Sequence, residues 1–309
     1  MSEADTTKGD RSSKYSTLDM KERMSCLERI ALRNSLAKET LSEFFGTCLL
    51  VIFTCCSIAT AVLNHASSGG VLGATVGCSL AVTMAVYAAG GVSGGHVNPA
   101  VSFAMCMTGK MPWVKLPFYV TAQFLGAFTG SAATFGVYYD ALMKYSGGVL
   151  TVTGPNATAQ IFATYPSPYL SQFNGLIDQM LSTALLLTMI FAIFDKKNMP
   201  APKGLEPVAI GLLILTLALS LGSNSGAAMN PARDLGPRIF TALAGWGLEV
   251  FTAGNSFWWI PVVGPMFGAV IGAYIYILCI ELHHKKEPDT KNHNLDIDHC
   301  EKHELANMV

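Results

Sequence analysis

Six stretches of the chain are apolar for about twenty residues at a time, near 40–63, 72–91, 115–140, 176–194, 206–222 and 257–281. As a helix, each is long enough to cross about 30 Å of hydrocarbon. Two further apolar segments, 98 to about 107 and 230 to about 243, are too short to cross. The first follows span two and the second follows span five, so alternate crossing brings them into the membrane from opposite faces. Three spans plus one half-helix, repeated upside down, is an architecture of transport proteins. The pattern therefore predicts an all-α membrane protein with six transmembrane helices and two half-helices in an inverted 3+3 repeat.

The polar positions orient this arrangement. Arg23, Arg29, Arg33 and Lys38 precede span one, Lys110 and Lys115 span three, and Lys196, Lys197 and Lys203 span five, while Lys285 and Lys286 follow span six. The excess of Lys and Arg on one side places both termini in the cytoplasm. On the opposite side the loop at 64–70 carries no Lys or Arg and the long loop at 142–174 carries one, Lys144. On this reading 1–36 and 285–309 are cytoplasmic tails and 37–284 is the channel domain. Its repeats run over about 37–141 and 175–284, joined by an extracellular loop at 142–174. That loop contains Asn156-Ala157-Thr158, an acceptor pattern for N-glycosylation.

The half-helices carry the chemistry. Ser93-Gly94-Gly95-His96-Val97-Asn98-Pro99-Ala100 aligns without gaps on Ser225-Gly226-Ala227-Ala228-Met229-Asn230-Pro231-Ala232, with five identities in eight positions. In each, Asn caps a helix and Pro occupies its first turn, where a missing N–H costs nothing. The preceding Gly-rich backbone has to sit at mid-membrane depth, which is tolerated only where it is buried in protein or lines a watery cavity. Two such helix starts meeting at the centre bring together two partial positive charges of about half a unit each, which repel cations. The Asn98 and Asn230 amides can donate to a passing oxygen, and the carbonyls of Gly94 to Val97 and Gly226 to Met229 can accept. A single file of water or hydroxyl groups fits that pattern, and a dehydrated ion does not. Arg233, on the first turn after Asn230, adds a fixed positive fork that is costly in a membrane and marks a functional position. His96, beside the inner motif, is a candidate pH sensor.

These residues closely resemble the aquaporin family over nearly all of 36–284. Asn230-Pro231-Ala232-Arg233-Asp234, with Asp234 after the pore Arg, is similar to its glycerol-conducting branch, the aquaglyceroporins. The resemblance implies a selectivity filter at Cys78, Ala218, Ala227 and Arg233. It also implies a structural carboxylate at Glu43 that orients the inner loop, with uncharged Gln179 as its counterpart, and a homotetramer with one pore per subunit. Where relatives place aromatic residues in the filter, Cys78, Ala218 and Ala227 are small, so the filter is expected to be wide. The implied function is passive passage of glycerol, urea, water and other small neutral solutes across the plasma membrane, with no cofactor or metal.

Composition excludes some rivals. Only 13% of the residues are charged and the net charge is −1, which offers nothing to a nucleic acid. The eight cysteines have neither metal-ligand spacing nor a secreted disulfide pattern. No nucleophile with a base suggests an enzyme. A coupled transporter would need intramembrane carboxylates to bind its driving ion, and only Glu43 and Asp178 qualify.

Overall fold

The computed structural model describes residues 31–64 and 70–284. Arg23, Arg29, Lys285, Lys286 and nearly all of both predicted tails lie outside the described residues. The described chain is built of helices: α1 (Ser35–Leu63), α2 (Gly70–Ser93), α3 (Pro99–Met107), α4 (Leu116–Ser146), α5 (Gln172–Phe194), α6 (Glu206–Ser225), α7 (Pro231–Thr241), α8 (Glu249–Ser256) and α9 (Ile260–Cys279). No strand occurs among the described residues.

Helix limits follow local chemistry. Asn34 caps α1, its Oδ1 accepting from Ala37 N at 3.1 Å, so the helix begins two residues before the expected boundary at 37. α4 continues past position 140, where its span was expected to end. Ala141, Leu142 and Met143 are good helix formers, and the stop comes only at Gly147, in the left-handed conformation at φ 64°. The start of the predicted loop 142–174 is therefore helix, with Leu142 fully buried.

Five helical stretches are long and apolar enough to cross a bilayer. α4 is the sixth long helix. Its 31 residues span about 46 Å at 1.5 Å each, but buried Gln123, Ser131 and Thr134 lower its apolarity.

Small residues bring the helices together. A Cβ on Gly130 of α4 would stand 2.7 Å from Cys48 O of α1, and one on Gly126 would collide with Phe44 O. In the second repeat Gly268 and Gly272 of α9 lie in the same way against Met180 and Ala184 of α5. The first and third spans of each repeat thus pair through a glycine face. Between the repeats, α2 meets α6 where a Cβ on Gly211 would collide with the Thr83 hydroxyl and stand 3.2 Å from Ser79 O.

The connection between α4 and α5 does not stay on the surface. Ile161, Phe162 and Ala163 are wholly buried, and the first two join Val51, Cys55, Phe240 and Trp246 in one apolar cluster. A buried loop requires partners for its backbone, and those partners belong to the second half-helix.

Candidate functional site: a pore between two half-helices

The half-helices meet end to end. Asn98 caps α3, with Oδ1 accepting from Ala100 N at 2.9 Å, and Asn230 caps α7, with Oδ1 accepting from Ala232 N at 3.0 Å and Arg233 N at 3.2 Å. Because the cap fixes each oxygen, each Nδ2 must point away from its own helix. Asn98 Nδ2 donates to Met229 O at 2.9 Å and Asn230 Nδ2 donates to Val97 O at 2.8 Å. Each repeat thus holds the carbonyl that precedes the other's cap. One N–H on each Asn is committed to this exchange and one is left to donate elsewhere.

A cavity of about 540 Å³ passes this junction. Its lining includes Asn98, Asn230 and the predicted backbone positions Gly94, Gly95, His96, Val97, Gly226, Ala228 and Met229. The predicted filter positions Cys78, Ala218, Ala227 and Arg233 line it as well. It extends from Val62 at the end of α1 and Val71 at the start of α2 to Phe194 and Met105 near the far ends of α5 and α3. Much of the remaining wall is aliphatic, with Leu50, Val82, Val86, Ile210 and Ile214. Pro99, Ala100, Pro231 and Ala232 do not line it; they are buried in the first turns of α3 and α7.

The loops that present the carbonyls are strained. Val97, Ala227 and Met229 have φ of 43°, 47° and 48°, a region that costs a residue bearing a Cβ about 1–2 kcal/mol. Something must hold them there. For the inner loop it is Glu43, fully buried on α1, which accepts from His96 N at 2.9 Å, Val97 N at 2.7 Å, Ser93 Oγ at 2.6 Å and Gln123 Nε2 at 2.8 Å. With the N–H groups turned toward this carboxylate, the carbonyls are turned toward the cavity. For the outer loop Gln179 Oε1 accepts from Met229 N at 3.1 Å. His96 Nδ1 lies 3.0 Å from Ser102 Oγ, so its ring is tied to α3.

Arg233 is placed by the buried loop. Its NH1 donates to Phe162 O at 2.8 Å, and no other acceptor among the described residues takes its remaining guanidinium donors. Cys78 lines the cavity, and its Sγ lies 3.9 Å from Thr54 O of α1.

Asp234 does not face the cavity. It is fully buried, accepts from Thr164 N at 2.7 Å and from the Thr164 hydroxyl, and pairs with Arg238 NH2 at 2.9 Å. Arg238, equally buried, donates onward to Val250 O at 2.7 Å and Thr164 O at 2.5 Å. It lies 4.6 Å from the Tyr165 ring. Burial pushes the Tyr165 phenol up to about 12, against the nearby Arg238 cation. These bonds supply the partners that the buried loop needs. Sequence reasoning missed Arg238, although an acid and a base four residues apart in an apolar segment are the signature of such a pair.

Residues 31–276 match the family described as "Major intrinsic protein". The chain is 61% identical to Aquaporin-9 of Homo sapiens over 279 residues, 90% of this chain and 95% of that one. It is 52% identical to Aquaporin-10 of Homo sapiens, covering 84% of this chain and 86% of that one. The crystal structure of the aquaglyceroporin from Plasmodium falciparum superposes with a TM-score of 0.72 at 28% identity, covering 79% of this chain and 97% of that one. With both half-helices, their reciprocal caps and the continuous cavity in place, this chain belongs to the major intrinsic protein family.

Proposed function

We propose that the chain is a passive channel for glycerol, urea, water and other small uncharged solutes, in the aquaglyceroporin branch of its family. The observation that carries this reading is the cavity past the reciprocal Asn98–Met229 and Asn230–Val97 bonds. Its donors and strained carbonyls lie along an otherwise aliphatic wall. A polyol has hydroxyls that need partners and a carbon backbone that does not, and such a lining serves both. A hydrated ion would lose its water shell there, facing two helix N-termini and Arg233, without replacement ligands.

Cys78, Ala218, Ala227 and Arg233 are the filter in this reading. None of the first three is bulky, so the filter passes solutes beyond the width of water. Stopped-flow swelling of reconstituted vesicles is expected to show glycerol and urea flux that is non-saturating and independent of ion gradients. Water flux without glycerol or urea flux would defeat the proposal. Mercurial block that disappears in Cys78→Ser would support the thiol as pore-lining.

A coupled transporter is disfavoured by the state of its two candidate carboxylates. Glu43 and Asp178 are both buried, and every carboxylate oxygen of each accepts from neighbouring protein groups. Positions at the ends of the helices support the proposed topology: Lys110 meets Glu281 and Lys115 meets Glu39 at one end of the bundle, which we assign to the cytoplasm. On the other side Asn156 is exposed, which supports its use as a glycosylation site. A homotetramer in the plasma membrane, with channel domain and tails as divided above, completes the proposal.

A further inference from the structure

The two half-loops are held by different chemistry, and the difference assigns a role to a residue outside the pore. We infer that Asp178 is a positioning residue: acting through Ser225, it fixes which way round the Gln179 amide sits, and so holds the outer half-loop in its conducting shape. This rests on the channel reading above.

The argument is one of donor and acceptor polarity. A carboxylate in the position of Gln179 would accept from Met229 N in either orientation. An amide has nearly the same shape both ways round but only one correct orientation, with Oε1 toward Met229 N–H. The reverse would set two donors against each other and leave a buried N–H unmade, a cost of about 1–3 kcal/mol. Ser225 resolves the ambiguity. Its Oγ donates its single hydrogen to Asp178 Oδ2 at 2.7 Å, so toward Gln179 it offers only a lone pair, which accepts from Nε2 at 2.7 Å. Asp178 Oδ2 itself lies 3.3 Å from the same Nε2. Asp178 Oδ1 accepts from Asn224 Nδ2 at 3.1 Å, holding the residue that leads into the loop. The polarity therefore runs one way from the carboxylate through Ser225 and Gln179 to Met229, whose carbonyl receives Asn98 Nδ2.

Repeat one shows what has been substituted. There Ser93, the aligned counterpart of Ser225, donates to Glu43 directly at 2.6 Å, and the same carboxylate takes the loop N–H groups. In repeat two the charge has moved back by one position, to Asp178, and a neutral relay spans the gap. Asp178 is buried and does not line the cavity, so it acts on solute only through the neighbours it holds, Ser225, Gln179 and Asn224.

The test uses the full-length protein in vesicles: wild type, Asp178→Asn, Ser225→Ala and the double variant Asp178→Asn with Gln179→Glu, which returns the carboxylate to its repeat-one position. Two quantities are read, glycerol permeability per reconstituted protein and hydrogen exchange of the amides at 226–230. Asp178→Asn and Ser225→Ala are expected to lower permeability and Met229 amide protection by about fivefold or more, and the double variant to return both to within about twofold of wild type. Equal loss in the single and double variants, or wild-type protection of Met229 in Asp178→Asn, would overturn the assignment. If Asp178→Asn does not fold, Ser225→Ala and the double variant still decide it. Should the wild type pass neither glycerol nor water, the channel reading falls, while the exchange data still judge the role of Asp178.

Discussion

The inner and outer half-loops share a sequence pattern, a strained backbone and a capped helix, yet they are stabilised from opposite directions. The inner loop is gripped by a carboxylate on a spanning helix, Glu43, which takes four donors, while its half-helix α3 carries at the aligned positions only Ser102 and Cys106. The outer loop is gripped by an uncharged amide with Asp178 behind it, and its half-helix carries a buried ion pair of its own, Asp234–Arg238. An inverted repeat therefore conserves the shape of the pore without conserving the electrostatics that support it. The outer half also supplies three of the four proposed filter positions, Ala218, Ala227 and Arg233, all on the cavity wall, so on that reading its support has to position a side chain as well as a loop.

The largest effect expected from breaking this comparison is at the outer pair. Arg238→Met leaves Asp234 buried without its cation, a loss of about 3–5 kcal/mol, read as a collapse in the yield and melting temperature of purified protein. Glu43→Gln is expected to follow, at about 2–3 kcal/mol. Its amide oxygen keeps one loop N–H, but the –NH2 end opposes the donors of the other. The inner loop should then gain hydrogen exchange at His96 and Val97 while the outer loop stays protected; loss of protection in both loops together would mean that the halves are not separately held.

A sharper question is whether repeat two alone sets the width. Ala218→Phe is expected to cut glycerol permeability by about tenfold while leaving water flux within about threefold, measured side by side in the same vesicles. Unchanged glycerol flux would move the constriction away from Ala218. The smallest effect serves as a control at the inner end. Asp195 accepts from Tyr276 OH at 2.8 Å, His284 Nε2 at 2.5 Å and Lys197 N at 2.9 Å. Burial raises its pKa, but the bonds from His284, Lys197 N–H and Tyr276 outweigh this and hold it below the ordinary aspartate range. A depressed folded pKa means stability that is present above the unfolded value and lost as pH falls through the folded one. Asp195→Asn should flatten that acid limb in a thermal melt and cost under about 1 kcal/mol at neutral pH, with both half-loops unaltered.

What the sequence made legible was local or periodic. Asn-Pro-Ala signals a capped helix within three residues, and apolar runs of twenty residues signal spans. Glu43 and Gln179 could be named only through the family resemblance. What stayed hidden depends on distant partners. Phe162 reads as a loop residue, and the donors of Arg233 and Arg238 with the acceptor Asp234, about seventy residues on, allow that loop to be buried. Asp178 beside Gln179 reads as an ion-coupling carboxylate until Ser225 and Asn224 are seen to consume its oxygens. The end of α4 lay beyond the expected span because hydropathy falls before helix propensity does, and Gly147 marks the true stop.

The reciprocal bonds at the centre have the form of a symmetric dimer contact, in which residue i of one partner meets j of the other and j meets i. The channel can thus be regarded as two folded halves joined along an interface, with the conduit lying in the seam. Such contacts are self-checking: an error of one residue in either half breaks both bonds at once. Two separately synthesised halves should therefore find each other in register, and the most exactingly specified point of the seam is also the point past which every solute must travel.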